Sequence, residues 1–237
     1  MRYRGAEAAA VDGLDFTVRE GEFFGLLGPN GAGKTTALSI ICTVLRPTRG
    51  TVSIGPFDIA RHPAEARRRF GLAPQDIALY PSLTGRENLR YFGRLYGLHG
   101  RALARRIDEC LALAGLEGSA DKRVDAYSGG MKRRANLAAA ILHAPPLLFL
   151  DEPTVGIDAQ SRNAILERLA GLRETGTTIV YTTHYMEEAE QLCSRVAVMD
   201  RGRIIAEGVP ADLVGEAEGC GNLEQLFLRL TGKQLRD

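Results

Sequence analysis

A chain of 237 residues with 45% apolar and 25% charged residues has the composition of a globular protein with a sizeable core. Its formal net charge of +1 excludes a global basic field that would recruit nucleic acid or anionic lipid. The four cysteines (Cys42, Cys110, Cys193 and Cys220) are scattered, without metal-ligand spacing, and read as reduced thiols.

No apolar run follows Met1-Arg2-Tyr3-Arg4, so no secretory leader is expected there. Residues 22–27 read as a strand ending at Gly28, and 32–45 as a helix stopped before Pro47. Short strands are expected at 51–54 and 70–73. From Ser82 to about His143 the period becomes helical, with helices at 87–98, 102–114 and 129–142, the last ended by Pro145-Pro146. Strand signals return at 147–150 and 177–183, with a helix at 159–174 between them. Residues 195–199 and 203–207 flank Asp200-Arg201-Gly202, a hairpin signal. A helical insert over about 76–143 therefore interrupts an α/β core. The most apolar stretch, 135–150, is broken by Asn136, His143 and the two prolines, short of the ~20 apolar residues a spanning helix needs. Work at a membrane would require another chain to cross it.

Gly28-Pro29-Asn30-Gly31-Ala32-Gly33-Lys34-Thr35-Thr36 matches the phosphate-binding loop pattern G-x-x-x-x-G-K-[ST] between a strand and a helix. Glycines let successive N–H groups face one anion, and the helix start adds its positive dipole end. Lys34 would reach the β/γ-phosphates, and the Thr35 hydroxyl would ligate Mg²⁺. A second element, Leu147-Leu-Phe-Leu-Asp151-Glu152, looks like a buried strand that delivers two carboxylates. Asp151 would hold Mg²⁺ through water and Glu152 would polarise an attacking water. Seen alone, such a pair equally caps the next helix, which Pro153 favours; beside the loop the phosphate role prevails.

Tyr127-Ser128-Gly129-Gly130-Met131 opens the helix leading to Asp151. Ser128-Gly129-Gly130 offers free N–H groups and a hydroxyl, either an anion site or a plain Ser N-cap. Lys132, Arg133 and Arg134 sit in the first turn, where cations oppose the dipole, and this conflict points to something anionic nearby.

In this order, the loop, Gln75 within Ala73-Pro-Gln, Ser128-Gly-Gly, Asp151-Glu152, Gly156-Ile-Asp158 and His184 after Thr182-Thr183 resemble the ATP-binding-cassette (ABC) ATPases over nearly the whole chain. The resemblance implies an α/β fold: a P-loop NTPase core of mostly parallel sheet with helices on both faces. An N-terminal antiparallel β portion and the all-helical insert carrying Ser128-Gly-Gly complete it. It implies one nucleotide-binding domain over 1–220 and a short C-terminal tail over 221–237. It further implies ATP hydrolysis with Glu152, His184 and Gln75 as catalytic groups and Mg²⁺ held by Thr35, Gln75 and Asp151. The loop from Gly28 to Thr36 would bind ATP, with Tyr3 stacked on adenine and Ser128, Gly129, Gly130 and Asp158 facing a partner's nucleotide. Alone, His184 reads as a strand-end histidine and Gln75 as an exposed polar residue. Tyr127 and Met131 depart from the family's usual Leu and Gln.

The implied partners are a second ATPase subunit, in a homodimer, and a membrane permease at the cytoplasmic face of the cell membrane, with no nucleic acid. Leu79-Tyr-Pro-Ser-Leu-Thr-Gly-Arg-Glu-Asn-Leu and Leu223-Glu-Gln-Leu-Phe-Leu-Arg-Leu-Thr-Gly most resemble exporter ATPases, with an importer subunit or a soluble ABC ATPase as the alternatives. Tyr80 and Leu83 are expected to face outward and receive a permease helix.

Overall fold

The computed structural model describes residues 1–3, 5, 8–217 and 219–232, and the chain divides into two compact units, Met1–Arg67 with Thr178–Asp237, and Arg68–Thr177. The first unit opens with β1 (Phe23–Leu27), α1 (Lys34–Ile41), β2 (Ser53–Ile54), β3 (Phe57–Asp58) and α2 (Pro63–Arg67). The second supplies β4 (Phe70–Ala73), α3 (Gly85–Leu95), α4 (Gly100–Ala114), α5 (Gly129–Ala140), β5 (Leu147–Asp151) and α6 (Ala159–Glu174). The first then resumes with β6 (Thr178–Thr183), α7 (Met186–Leu192), β7 (Arg195–Asp200), β8 (Arg203–Gly208), α8 (Pro210–Glu216) and α9 (Leu223–Thr231).

The fold is α/β with mostly parallel pairing. Every residue of β1 and β6 is buried, so both read as continuous apolar or β-branched runs, as strands covered on both faces do. β1 lies between β6 and β7, parallel to each, with Leu27 opposite Thr183 and Val198. Among the named strands of the described residues, antiparallel pairing occurs in the β2–β3 ribbon and between β8 and β7, beside an isolated antiparallel bridge between Thr84 and Arg123. The β7–β8 turn is tight: Arg201 takes φ 48° and Gly202 φ 78°. In the second unit β4 pairs in parallel with β5, Ala73 opposite Leu150. The edge-on rings of Phe70 and Phe149, 5.3 Å apart, join the two strands.

Helix boundaries follow their caps. α3 starts two residues before the expected 87 because Thr84 and Glu87 form a capping box: Thr84 Oγ1 accepts the Glu87 N–H at 3.1 Å and Glu87 Oε2 accepts the Thr84 N–H at 2.9 Å. Ser128, Asp158 and Asn222 cap α5, α6 and α9 in the same one-sided way, each accepting a backbone N–H three residues on. α4 ends at Gly115, in the left-handed conformation at φ 60°. The segment from 221 is more than an extension: α9 buries Leu223, Leu226 and Phe227, while Lys233–Asp237 lie outside the described residues. Helices α2, α7 and α8 carry no expectation from the pattern, being only five to seven residues long.

Two glycines of the second unit set opposite expectations. A Cβ at Gly71 would sit 2.0 Å from the Ala140 carbonyl oxygen, a backbone atom at the end of α5. At Gly171, inside α6, nothing lies within 4 Å. Gly71→Ala should therefore destabilise the protein by about 1–3 kcal/mol, as forced overpacking does. Gly171→Ala should stabilise it by about 0.5–1 kcal/mol through helix propensity. Thermal unfolding followed by circular dichroism reads both, at about 2–4 °C per kcal/mol for a chain of this size; equal midpoints for the two variants would contradict this packing.

Candidate active site

In the first unit β1 ends at Leu27 and the chain turns sharply through three glycines of positive φ, Gly28 at 153°, Gly31 at 81° and Gly33 at 104°. Two of them have no room for a side chain. A Cβ at Gly28 would lie 2.4 Å from the Met199 carbonyl oxygen, and one at Gly33 would lie 2.2 Å from that of Ala10. Gly33 is the N-cap of α1 and, having no side chain, contributes no side-chain cap bond to its first turn. The loop is held from below, where the Gly202 N–H donates to the Ala32 carbonyl at 2.8 Å.

Lys34 is 4% exposed, and its Nζ donates to the Gly28 carbonyl at 2.8 Å and the Pro29 carbonyl at 3.2 Å, so the ammonium lies folded across the loop. Thr35, the next residue, is exposed. Tyr3 is 45% exposed, and its hydroxyl is 3.1 Å from Thr36 Oγ1, which puts the ring beside the start of α1. His184 follows β6 directly and is half-buried. Because Leu27 pairs with Thr183, Gly28 and His184 leave adjacent parallel strands at the same end, where ligands of open α/β sheets gather.

The second unit repeats this arrangement. Ala73 pairs with Leu150, so Gln75 and the Asp151-Glu152 pair emerge together from neighbouring strand ends. Both carboxylates are 4% exposed. Glu152 takes φ 47°, a left-handed conformation that costs a non-glycine residue about 1–3 kcal/mol and concentrates at functional sites.

The helix α5 organises the residues around these carboxylates. Ser128 Oγ accepts the Met131 N–H at 3.2 Å, so the serine is an N-cap as well as the head of the Ser128-Gly129-Gly130 element. A Cβ at Gly130 would lie 2.2 Å from Ser161 Oγ, and glycine is what lets α5 approach α6. At the head of α6, Asp158 accepts the Ser161 N–H at 2.9 Å and its hydroxyl at 2.8 Å. These bonds hold its carboxyl below the usual carboxylate range.

Arg133 and Arg134 are the fifth and sixth residues of α5, in its second turn and not the first as expected, and they find acceptors in the protein itself. Arg133 donates from Nη1 to the Gln75 carbonyl and from Nη2 to the Val155 carbonyl at 3.2 Å. Burial lowers its pKa, against the opposing pull of Asp76, Glu152 and Asp151. Arg134 donates to the carbonyls of Ala114 and Gly115 at 2.8 and 2.9 Å. The expected anion is thus partly replaced by carbonyls, including the negative dipole end of α4. Asn136 completes the clasp: its Oδ1 accepts the Ala78 N–H at 3.2 Å and its Nδ2 donates to the Pro74 carbonyl at 3.1 Å, bracketing Gln75. Sequence reasoning passed over Asn136, a buried polar residue of α5 whose burial requires hydrogen-bond partners. Tyr127 is 4% exposed and its hydroxyl donates to the Ser119 carbonyl at 2.7 Å, so this departure from the family pattern acts as a buried strut.

Residues 11–155 match the family model described as ABC transporter. The chain is 49% identical over 210 residues to the linearmycin resistance ATP-binding protein LnrL of Bacillus subtilis (strain 168), covering 88% of this chain and 67% of that protein. It is 48% identical over 218 residues to the Nod factor export ATP-binding protein I of Paraburkholderia xenovorans (strain LB400), covering 92% of this chain and 72% of the relative. Among solved structures, the ATP-binding cassette MJ0796, a dimer in a post-hydrolysis state bound to ADP and Pi, superimposes with a TM-score of 0.80 at 30% identity, covering 87% of this chain and 94% of that one. A family model matching more than half the chain, relatives at nearly half identity and a solved cassette that superimposes with a TM-score of 0.80 lead to one conclusion: the chain belongs to the ABC transporter family, as an ATP-binding subunit that hydrolyses ATP.

Proposed function

We propose that this chain powers export through a separate membrane permease, working as one of two like subunits that close head to tail on ATP. The observation that carries the nucleotide site is the loop from Gly28 to Lys34: three positive-φ glycines, of which Gly28 and Gly33 have no space for a side chain, leading into a helix start without a side-chain cap. There the ATP phosphates take the backbone N–H groups, and Lys34 exchanges its two loop carbonyls for phosphate oxygens. Tyr3, beside Thr36, stacks on the adenine. Thr35, Gln75 and Asp151 offer a hydroxyl, an amide and a carboxylate oxygen, the hard donors that Mg²⁺ takes in small number alongside phosphates and water. When bound, Mg²⁺ supplies positive charge to the β- and γ-phosphate oxygens.

Glu152 acts as general base, accepting a proton from the attacking water, and its left-handed backbone aims the carboxylate. His184 and Gln75 contact the γ-phosphate side and orient that water. Ser128, Gly129, Gly130 and Asp158 belong to the surface that meets the other subunit's nucleotide. The dimer of the MJ0796 cassette supports the pairing, and the Nod factor export relative supports export; the homodimer, the permease and a place on the cytoplasmic face of the membrane are our reading. Among the described residues no helix is long and apolar enough to cross a membrane. We treat residues 1–220 as one nucleotide-binding domain, with the helices between 76 and 143 as its insert and 221–237 as its tail.

The permease contact is expected at the start of α3. Tyr80 is 45% exposed and packs edge-on against Tyr91, itself 40% exposed, with ring centroids 5.0 Å apart. Leu83 is only half-buried, Leu95 is 67% exposed, and Leu89 is turned into the core. The outward apolar surface therefore runs from Tyr80 along Tyr91 to Leu95 rather than through Leu83 alone.

Three measurements bear on this reading. Lys34→Ala should reduce ATP turnover to background and weaken nucleotide binding, since the loop then meets the phosphates without its cation; wild-type turnover would refute the phosphate site. Glu152→Gln should retain ATP but hydrolyse it about 10²–10⁴-fold slower, and size-exclusion chromatography in Mg·ATP should then show a dimer. A strict monomer at saturating ATP would count against the head-to-tail pair. Cysteine placed at position 80 should crosslink to a cytoplasmic segment of the neighbouring permease with a yield that ATP changes, and absence of any crosslink with transport intact would exclude this surface.

A further inference from the structure

Between the strand that carries His184 and the helix after it lies a closed polar cluster within a buried part of the first unit. β6 brings Tyr181 and Thr183, two residues apart, to the same face of the strand, and both are fully buried. Across from them, on the first turn of α7, Glu188 is 3% exposed. Its Oε2 accepts the Tyr181 hydroxyl at 2.6 Å and the Thr183 hydroxyl at 2.9 Å. Thr183 Oγ1 in turn accepts the Tyr185 N–H at 2.9 Å. A hydroxyl has one proton and two lone pairs, so Thr183 donates to the carboxylate and still receives the amide.

The consequence falls on the residue between them. His184 is spanned by the Thr183 hydroxyl: the chain before it is tied to Glu188, and the chain after it is tied back to Thr183. Tyr185, the N-cap of α7, makes no side-chain cap bond, so the Thr183 hydroxyl is what secures this N–H at the strand-to-helix turn. Tyr181 donates to the same carboxylate oxygen and is itself wedged edge-on against Phe23 of β1, with centroids 5.9 Å apart. A buried carboxylate that receives two hydroxyls has a set position, and so does whatever those hydroxyls hold.

We infer that Thr183 and Glu188 are positioning residues for His184: the Glu188 carboxylate, acting through the Thr183 hydroxyl, sets the backbone from which the imidazole reaches the ATP γ-phosphate side. This inference rests on the proposed role of His184 in hydrolysis. Partners that orient a metal-bound histidine commonly account for about 10–100-fold in activity, and a loss of that order is expected here.

The test compares variants that remove or restore single hydroxyls in the purified chain. Thr183→Val removes the hydroxyl that joins Glu188 to the Tyr185 amide, and should lower kcat for Mg·ATP by about 10–100-fold while nucleotide affinity stays at the wild-type value. Thr183→Ser restores the hydroxyl and should restore kcat to within about threefold. Tyr181→Phe deletes the other bond to the same carboxylate oxygen but leaves the link to Tyr185, and should keep kcat within about threefold even where its thermal midpoint falls. Thr183→Ala, which removes the hydroxyl from the buried site without the second methyl, stands in should Thr183→Val not fold. Wild-type kcat in the hydroxyl-less variants, or equal losses in Thr183→Val and Tyr181→Phe, would overturn the inference and leave the cluster with a purely structural role. His184→Ala separates the two levels: full turnover there sinks the reading of His184 itself, whereas an inactive His184→Ala beside a normal Thr183→Val sinks only the positioning.

Discussion

An anion that is to be held by main-chain N–H groups needs a stretch of backbone that curls around it, and such a curl is closed to side chains. At Gly28 and Gly33 the obstruction is itself backbone, the carbonyls of Met199 and Ala10, which cannot swing aside as a flexible side chain can. The rest of the first unit makes this curl stand still. β1 is buried throughout between two parallel neighbours, β7 ends against the loop, and the Gly202 N–H reaches Ala32 from the hairpin beyond β7. Lys34, buried across the loop on two carbonyls, is stored where a phosphate would draw it off.

The second unit solves a different problem, that of holding several loops to one helix. Arg133 and Asn136 project from α5 and between them take the carbonyls of Pro74, Gln75 and Val155 and the N–H of Ala78. The loop carrying Gln75 and the turn after Glu152 are therefore fastened to the helix that begins with Ser128-Gly129-Gly130. A guanidinium can do this because its donors fork in a fixed plane and serve two carbonyls at once. The adjacent Arg134 uses the same property at the C-terminus of α4, where Arg168 also donates to the Leu113 carbonyl at 2.6 Å. Cations that would weaken the start of α5 thus stabilise the end of α4. The proximity of Arg168 adds to burial in lowering the Arg134 pKa.

Both units bring their candidate site residues out at the C-terminal ends of parallel strands, and this follows from register. Leu27 opposite Thr183 and Ala73 opposite Leu150 are enough to group Gly28 with His184, and Gln75 with Asp151. The candidate site residues then lie at the end of an apolar run or one or two positions beyond it, on backbone whose rigidity comes from the strand. The support behind them differs: a buried carboxylate and two hydroxyls behind His184, an arginine fork and an asparagine around Gln75.

Strands, helices and the phosphate loop are written locally, in apolar runs, in 3.6-residue periods and in glycines at fixed spacing, and so the sequence alone located them. β4 and α6 fall where the pattern puts them, and others shift by a few residues where caps intervene. The Thr84-x-x-Glu87 box was present to be read and accounts for the early start of α3. Short helices such as α7 escaped because fewer than two turns carry too little period to stand above chance. Burial along α3 was legible only in part: Leu89 is inside and Leu95 outside, and which face of a helix is covered depends on its neighbours. Arg133 gives no hint in sequence that it grips carbonyls 58 and 22 residues away, nor Glu188 that its partners are hydroxyls from the preceding strand. Those contacts were decided by the tertiary structure, because a buried polar side chain takes whichever acceptor or donor the packed chain brings within 3 Å, and sequence spacing does not encode that distance.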